Sequence, residues 1–292
     1  MKAAPFDYAL AHDLDHALSF LDQYGMDAKL IAGGQSLVPM MAMRLARPEW
    51  LIDINRIDSL KRIDLSSTHL TLGACVRQRD VEYNEPVTRA LPLIKKALHW
   101  VGHQQTRNRG TVGGSLVYAD PSAELPLTAL LLGATLHLES HQEGRRSVLA
   151  SDFFLGPMFT AVSDTECLTH IDWPIWSGPR VASAFEETAI RKGDFAMASA
   201  AAQLQLDSNG RVLRATFGVG GMDGTPRVFP ELAQQMVGLT ASEVDIKGIC
   251  QEAVQGCEPG NDMHCSSEYR RHLARVLLER VIEQTLQRAL SQ

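Results

Sequence analysis

The sequence predicts an α+β protein. Two α/β subdomains come first, one around a small parallel sheet and one around a larger antiparallel sheet. A C-terminal domain with a three-stranded antiparallel sheet and helices follows. Three observations predict this order. Over residues 1–57, apolar runs of strand length alternate with helix-periodic stretches, the pattern of a parallel unit. Beyond residue 58, short strands separated by turn residues point to antiparallel pairing. Ser177-Gly178-Pro179 then reads as a linker before three more strands and a helical tail. The domains are therefore drawn at 1–177, with subdomains about 1–57 and 58–177, and at 178–292.

Residues 6–10 read as a short strand. Asp13 is placed to cap a helix whose Leu14, Ala17, Leu18 and Leu21 share a face, and Gly25 ends it. Lys29-Leu30-Ile31 is the next strand. It runs into the loop Ala32-Gly33-Gly34-Gln35-Ser36, where Ser36 is placed as the cap of a helix-like run over 37–45. Pro39 falls in that helix's first turn, where its missing N–H costs nothing, and Pro48 closes it. Residues 51–54 form a buried strand.

Strands over 60–65 and 70–74 are joined by Ser66-Ser67-Thr68-His69, and a helix over 92–101 stops at Gly102. A second diglycine loop, Thr111-Val112-Gly113-Gly114-Ser115, comes next. Asp120-Pro121-Ser122 starts a leucine-rich helix that ends at Gly133. Strands over 134–140 and 145–149 form a hairpin, and 168–173 is the last strand before Pro174. The C-terminal domain has strands over 182–189, 198–206 and 212–219, with Ser208-Asn209-Gly210 as a hairpin turn. Helices over 230–237, 241–254 and 269–290 complete it.

Composition narrows the function classes. The 292 residues are 45% hydrophobic and 21% charged, an ordinary globular balance. A formal charge of −6 and the lack of a basic run argue against nucleic acid and anionic membrane as main partners. The N-terminus carries no apolar signal core, and the apolar stretch over 125–138 is too short to span a bilayer, so a cytoplasmic location is expected. The five cysteines, Cys75, Cys167, Cys250, Cys257 and Cys265, include no C-x-x-C pair, so an iron–sulfur cluster or structural zinc is not expected on this chain. His99 and His103 lie four apart, but Gly102 intervenes and no third ligand is near, so no metal ligand is assigned.

The two diglycine loops carry the chemistry. Glycine permits positive φ and close approach to the main chain. Successive N–H groups in such a turn form a concave anion site, and a helix starting just after it adds free N–H groups and a positive dipole end. Two such sites suit a ligand with two linked negative charges, such as a pyrophosphate. Neither a G-x-G-x-x-G dinucleotide fingerprint nor a G-x-x-x-x-G-K-[ST] loop is present.

The wider wording is specific. Ala-Gly-Gly-Gln-Ser-Leu-Val-Pro-Met-Met from Ala32, and Arg-Asn-Arg-Gly-Thr-Val-Gly-Gly-Ser-Leu-x-x-Ala-Asp-Pro-Ser-Ala-Glu-Leu-Pro from Arg107, resemble the FAD-binding medium subunit of the molybdenum hydroxylases. Aerobic carbon monoxide dehydrogenase, xanthine dehydrogenase and the N-heteroaromatic hydroxylases make up that family. The resemblance covers essentially the whole chain, including Ser267-Glu268-Tyr269-Arg270 and the final helix. It implies that Ala32, Gly33, Gly34, Gln35 and Ser36, with Thr111, Val112, Gly113, Gly114 and Ser115, wrap the FAD pyrophosphate and ribityl chain. Gln35 stands where many relatives have histidine. Some flavoenzymes of related fold attach flavin covalently through a histidine in such a loop, so non-covalent FAD is expected here.

Asp120 and Glu124 are spaced i, i+4, which would put both on one helical face. Asp120 as a helix cap and Glu124 favouring the positive end is one reading. An acid pair for proton transfer is another, and the resemblance implies FAD contacts. Arg191-Lys192-Gly193-Asp194-Phe195-Ala196 reads as a solvated turn, whereas the resemblance places Lys192 and Asp194 near the flavin ring and Leu168 against the cofactor. Met40, Met41 and Met43 are expected to fill core space. Arg107 and Arg109 either pair with surface acids or bind phosphate or a partner.

The resemblance also implies partners: a large molybdopterin subunit, a small subunit with two [2Fe–2S] clusters, and an α2β2γ2 assembly. Electrons would reach FAD from those clusters and leave to an external acceptor, with no catalytic residue needed on this chain. The substrate of such a complex is expected to be aromatic or N-heteroaromatic. A stand-alone FAD oxidase or dehydrogenase of related fold, and a non-enzymatic nucleotide-binding scaffold, are the alternatives.

Overall fold

The computed structural model describes residues 2–292. The first subdomain is a three-stranded parallel sheet of β1 (Asp7–Leu10), β2 (Ala28–Ile31) and β3 (Trp50–Asp53), in the order β1-β3-β2. Helix α1 (Leu14–Tyr24) crosses from β1 to β2 and buries Ala17, Leu18 and Leu21. The Asp13 carboxylate accepts from the His16 amide at 2.8 Å, as its sequence position predicts. Helix α2 (Leu37–Ala42) follows β2, but it is shorter than the sequence suggests. It ends six residues before Pro48, where Arg44 takes a left-handed φ of 60°. Met41 is core, whereas Met43 is exposed and fills no core space.

The second subdomain is a five-stranded antiparallel sheet in the order β4-β5-β10-β6-β7. It is built from β4 (Ile63–Leu65), β5 (His69–Gly73), β6 (Thr135–Ser140), β7 (Gly144–Leu149) and β10 (Glu166–Pro174). Helices α3 (Gln78–Glu82), α4 (Glu85–Ala90), α5 (Pro92–Trp100), α6 (Gln104–Arg109), α7 (Val112–Tyr118) and α8 (Glu124–Leu132) lie between β5 and β6. Helix α9 (Ala150–Phe153) and the small pair β8 (Phe154–Gly156) and β9 (Phe159–Thr160) precede β10.

Beyond the linker, β11 (Val181–Thr188), β12 (Ala198–Leu206), β13 (Val212–Gly220) and β14 (Arg227–Val228) form a four-stranded antiparallel sheet. The predicted three strands gain β14, a two-residue edge too short to leave a periodic signal. Helices α10 (Pro230–Gln234), α11 (Ile246–Gln255) and α12 (Ser267–Leu290) cover one face. Helix α11 starts at Ile246 rather than 241, because Asp245 caps it by accepting from the Gly248 amide at 3.0 Å.

Alanines explain how the parts join. Every residue of β12 is buried. Ala198, Ala200 and Ala202 pack under α12, and Ala201 joins the core of the five-stranded sheet on the opposite side. Small side chains let helices approach both faces. Helix α8 is buried nearly all round, the signature of a helix sandwiched between layers. Each buried leucine there contributes about 1.5–3 kcal/mol.

Candidate functional site

A cleft of about 620 Å³ opens between the two N-terminal subdomains, within the range of cofactor sites. Its floor is the first diglycine loop, and Ala32, Gly33, Gly34, Gln35 and Ser36 all line it. Gly34 has a φ of +69°, which favours glycine. Among the described residues, the amides of Gly33, Gly34, Gln35 and Ser36 donate to no other protein group, so this loop presents a concave row of donors. The Ser36 side chain makes no capping bond to α2 and remains available to the cleft, contrary to its expected capping role.

The second diglycine segment behaves differently. It is not a turn: Gly113 and Gly114 sit in the first turn of α7. Two glycines in a helix cost about 1 kcal/mol each relative to alanine, so packing must require them. A β-carbon on Gly113 would lie 2.6 Å from the Ala74 side chain and 2.7 Å from its carbonyl oxygen. The amides here are already engaged. Val112 donates to Val76 O, Gly113 to Ala74 O, Gly114 to Thr111 Oγ1 and Ser115 to Thr111 O, at 3.0–3.2 Å. The expected second row of free donors is therefore absent at these four positions. Thr111, Gly113, Gly114 and Ser115 line the cleft through side chains and α-carbons, while Val112 points into the core.

Two residues that sequence reasoning missed tie the segments together. Asn55 Nδ2 donates to Ala32 O at 2.7 Å, and Asn55 Oδ1 accepts from Arg77 Nη2 at 2.6 Å. Arg77 Nη1 donates in turn to Arg109 O. A polar asparagine two residues past a buried strand was the available signal. Gln35 Nε2 donates back to Gly33 O at 3.1 Å and stiffens the loop.

Asp120 lies outside α8, so the expected shared helical face does not exist. Its carboxylate accepts from the Ser122 amide at 2.9 Å, an Asx turn that replaces the expected cap. Glu124 is the first residue of α8 and is 5% exposed. Burial pushes its carboxyl up to about 7, and the neighbouring Asp120 charge adds to this. Burial also raises Asp120. Both line the cleft, as does buried Leu168 beside the β10 bulge.

The 191–195 turn divides. Asp194 and Phe195 reach the cleft, whereas Lys192 faces a separate cavity of about 330 Å³ beside His99, Trp100 and Glu187. Burial pushes the Glu187 carboxyl up to about 8. Arg107 binds neither a surface acid nor the cleft. It is buried in a bidentate pair with Glu82, at 2.8 and 3.1 Å.

Comparison with known proteins decides the family. The family described as "FAD binding domain in molybdopterin dehydrogenase" matches residues 4–176, and "CO dehydrogenase flavoprotein C-terminal domain" matches 183–285. The chain belongs to the FAD-binding medium subunits of the molybdenum hydroxylases. It is 36% identical over 99% of its length to the 6-hydroxypseudooxynicotine dehydrogenase complex subunit alpha of Paenarthrobacter nicotinovorans, covering 97% of that protein. Among solved structures, a chain of quinoline 2-oxidoreductase from Pseudomonas putida 86 superposes with a TM-score of 0.93 at 36% identity, covering 99% of this chain and 100% of that one. A chain of carbon monoxide dehydrogenase from Hydrogenophaga pseudoflava gives 0.94 at 30% identity, covering 99% of each. This medium subunit is thus an oxidoreductase component. Among its described residues, no helix is long and apolar enough to cross a membrane.

Proposed function

We propose that the cleft holds FAD non-covalently, with the free amides of residues 33–36 receiving its pyrophosphate. That row of unengaged donors is the observation that carries the reading. Bound there, FAD supplies the redox chemistry, accepting electrons from a partner subunit's [2Fe–2S] clusters and passing them to an external acceptor. The residues of this chain bind and orient. Ser36, Thr111 and Ser115 offer hydroxyls, Leu168 an apolar wall, and Asp120, Glu124 and Asp194 carboxyls. At neutral pH the Glu124 carboxyl carries a proton for a substantial part of the time, so it can donate as well as accept.

The partners in this reading are a large molybdopterin subunit and a small iron–sulfur subunit in an α2β2γ2 assembly. The complex acts on an aromatic or N-heteroaromatic substrate, a reading supported by similarity to the 6-hydroxypseudooxynicotine dehydrogenase and quinoline 2-oxidoreductase chains. Cytoplasmic residence and the domain boundaries at 177 and 178 belong to the same proposal. The test is the cofactor content of the chain with whatever co-purifies from its source. Acid-released FAD together with iron, molybdenum and two further chains is the expected result. FAD without partners or metal would transfer the reading to a stand-alone flavoenzyme.

A further inference from the structure

The outer face of the five-stranded sheet carries a cluster that lies apart from the cleft and does not depend on the flavin reading. His137 on β6 stands beside His170 on β10 in the strand register, and Asp172 follows His170 on the same face. The two imidazoles stack with centroids 4.1 Å apart and planes 6° from parallel. One ligand atom from each of the three residues falls within 4.8 Å of the others. His137 and Asp172 side chains are 24% and 31% exposed, so solvent reaches the group.

Each of the three side chains is held from behind by a hydroxyl. Thr169 Oγ1 donates to His137 O at 3.0 Å, so its contact with His170 Nδ1 at 2.9 Å must be one it accepts. That fixes the proton on Nδ1 and leaves Nε2 of His170 as a free lone pair. Ser147 Oγ lies 2.9 Å from His137 Nδ1 and can accept its proton. Thr71 Oγ1 donates to Asp172 Oδ1 at 2.5 Å. The remaining atoms, His137 Nε2 and Asp172 Oδ2, already meet at 3.0 Å.

We propose that His137, His170 and Asp172 bind a divalent transition metal of the zinc class. Two imidazoles and one carboxylate match such an ion's preferred donors, with water as the fourth ligand. Ligand atoms in a tetrahedral site stand about 3.4 Å apart, given metal–ligand bonds of about 2.1 Å. The widest pair, at most 4.8 Å apart, therefore closes by no more than about 1.4 Å, which small side-chain rotations at a partly exposed site provide. Ser147, Thr169 and Thr71 act as the outer partners that fix ligand orientation. The ion would clasp β6 to the central strand β10. Sequence spacing concealed the group, because its members come from strands far apart in the chain.

The experiment uses the full-length chain as purified, with or without flavin, stripped of metal and titrated with Co²⁺ and then Zn²⁺. One equivalent of Co²⁺ should give the visible absorption of a tetrahedral site, and Zn²⁺ should displace it and raise the melting temperature. His170→Gln should weaken Zn²⁺ binding by more than about 100-fold. Thr71→Val, which keeps a β-branched side chain in the strand, should weaken it by about 10–100-fold. The absence of saturable binding in the wild type overturns the site. So does wild-type affinity in either variant.

Discussion

The α-carbon of Gly33 faces the carbonyl oxygen of Arg109 so closely that a β-carbon on Gly33 would collide with it. The same oxygen accepts from Arg77, so it cannot swing away without releasing that bond. Gly33→Ala should therefore lift the first loop off its support. The dissociation constant for FAD should rise at least tenfold, about 1.4 kcal/mol. Flavin fluorescence titration measures it, and wild-type affinity would refute the loop assignment.

Asn55 holds the same loop from beneath through Ala32 O. Asn55→Ala removes that bond and leaves Arg77 with one partner fewer. The expected loss is about 1–2 kcal/mol in FAD affinity, roughly 5–30-fold. An effect on the melting temperature of the flavin-free chain with none on FAD affinity would make Asn55 structural only.

Glu124 gives stability a pH dependence of known sign. Its carboxyl titrates in the folded chain near 7, above its ordinary value of 4.5. The buried neutral form is fully tolerated below the unfolded value. Ionisation costs stability progressively as the pH rises from about 4.5 through 7. Glu187, raised to about 8, extends the loss to higher pH. Glu124→Gln should flatten the first part of the decline and raise the flavin-free melting temperature above pH 7 by a few degrees. An unchanged pH profile would show that the Glu124 carboxyl titrates in the folded chain as it does unfolded, and would overturn its burial as the cause of the decline.

Arg107 and Glu82 form a buried pair, with Arg107 also donating to the Val101 carbonyl at 2.9 Å. Arg107→Ala strands Glu82 in the interior and should cost about 3–5 kcal/mol in urea unfolding. The double variant Arg107→Met, Glu82→Leu should recover much of this. If the double is no better than the single, the carbonyl contacts matter more than the charge pair.

Much of the architecture was legible because it rests on local signals. Asp13, Gly25 and Gly133 mark helix ends by their own chemistry, and the alternation in β6 declares its buried face. The failures have two causes: contacts distant in sequence, and local turns that compete with the helix pattern. Gly113 read as part of a turn because its close approach to Ala74 is invisible locally. Asp120 looked like a cap until Ser122 took its carboxylate. Lys192 and Asp194 sit two residues apart yet face different cavities, because Gly193 turns the chain between them with a φ of +90°. Asn55 and Arg77 went unnoticed because their partners, Ala32 and Arg109, lie far away in sequence.

That turn at Gly193 leans on His103 so tightly that a β-carbon would lie 2.7 Å from the imidazole. It delivers Asp194 and Phe195 to the mouth of the cleft from beyond the linker. The wall over the proposed cofactor site thus belongs to a different layer of the molecule from its floor. Escape of the flavin becomes a question of how often the two halves part, not only of how many bonds hold the ligand. Flavin bound in the proposed site would then serve as a built-in gauge of that parting, because its surroundings come from both halves.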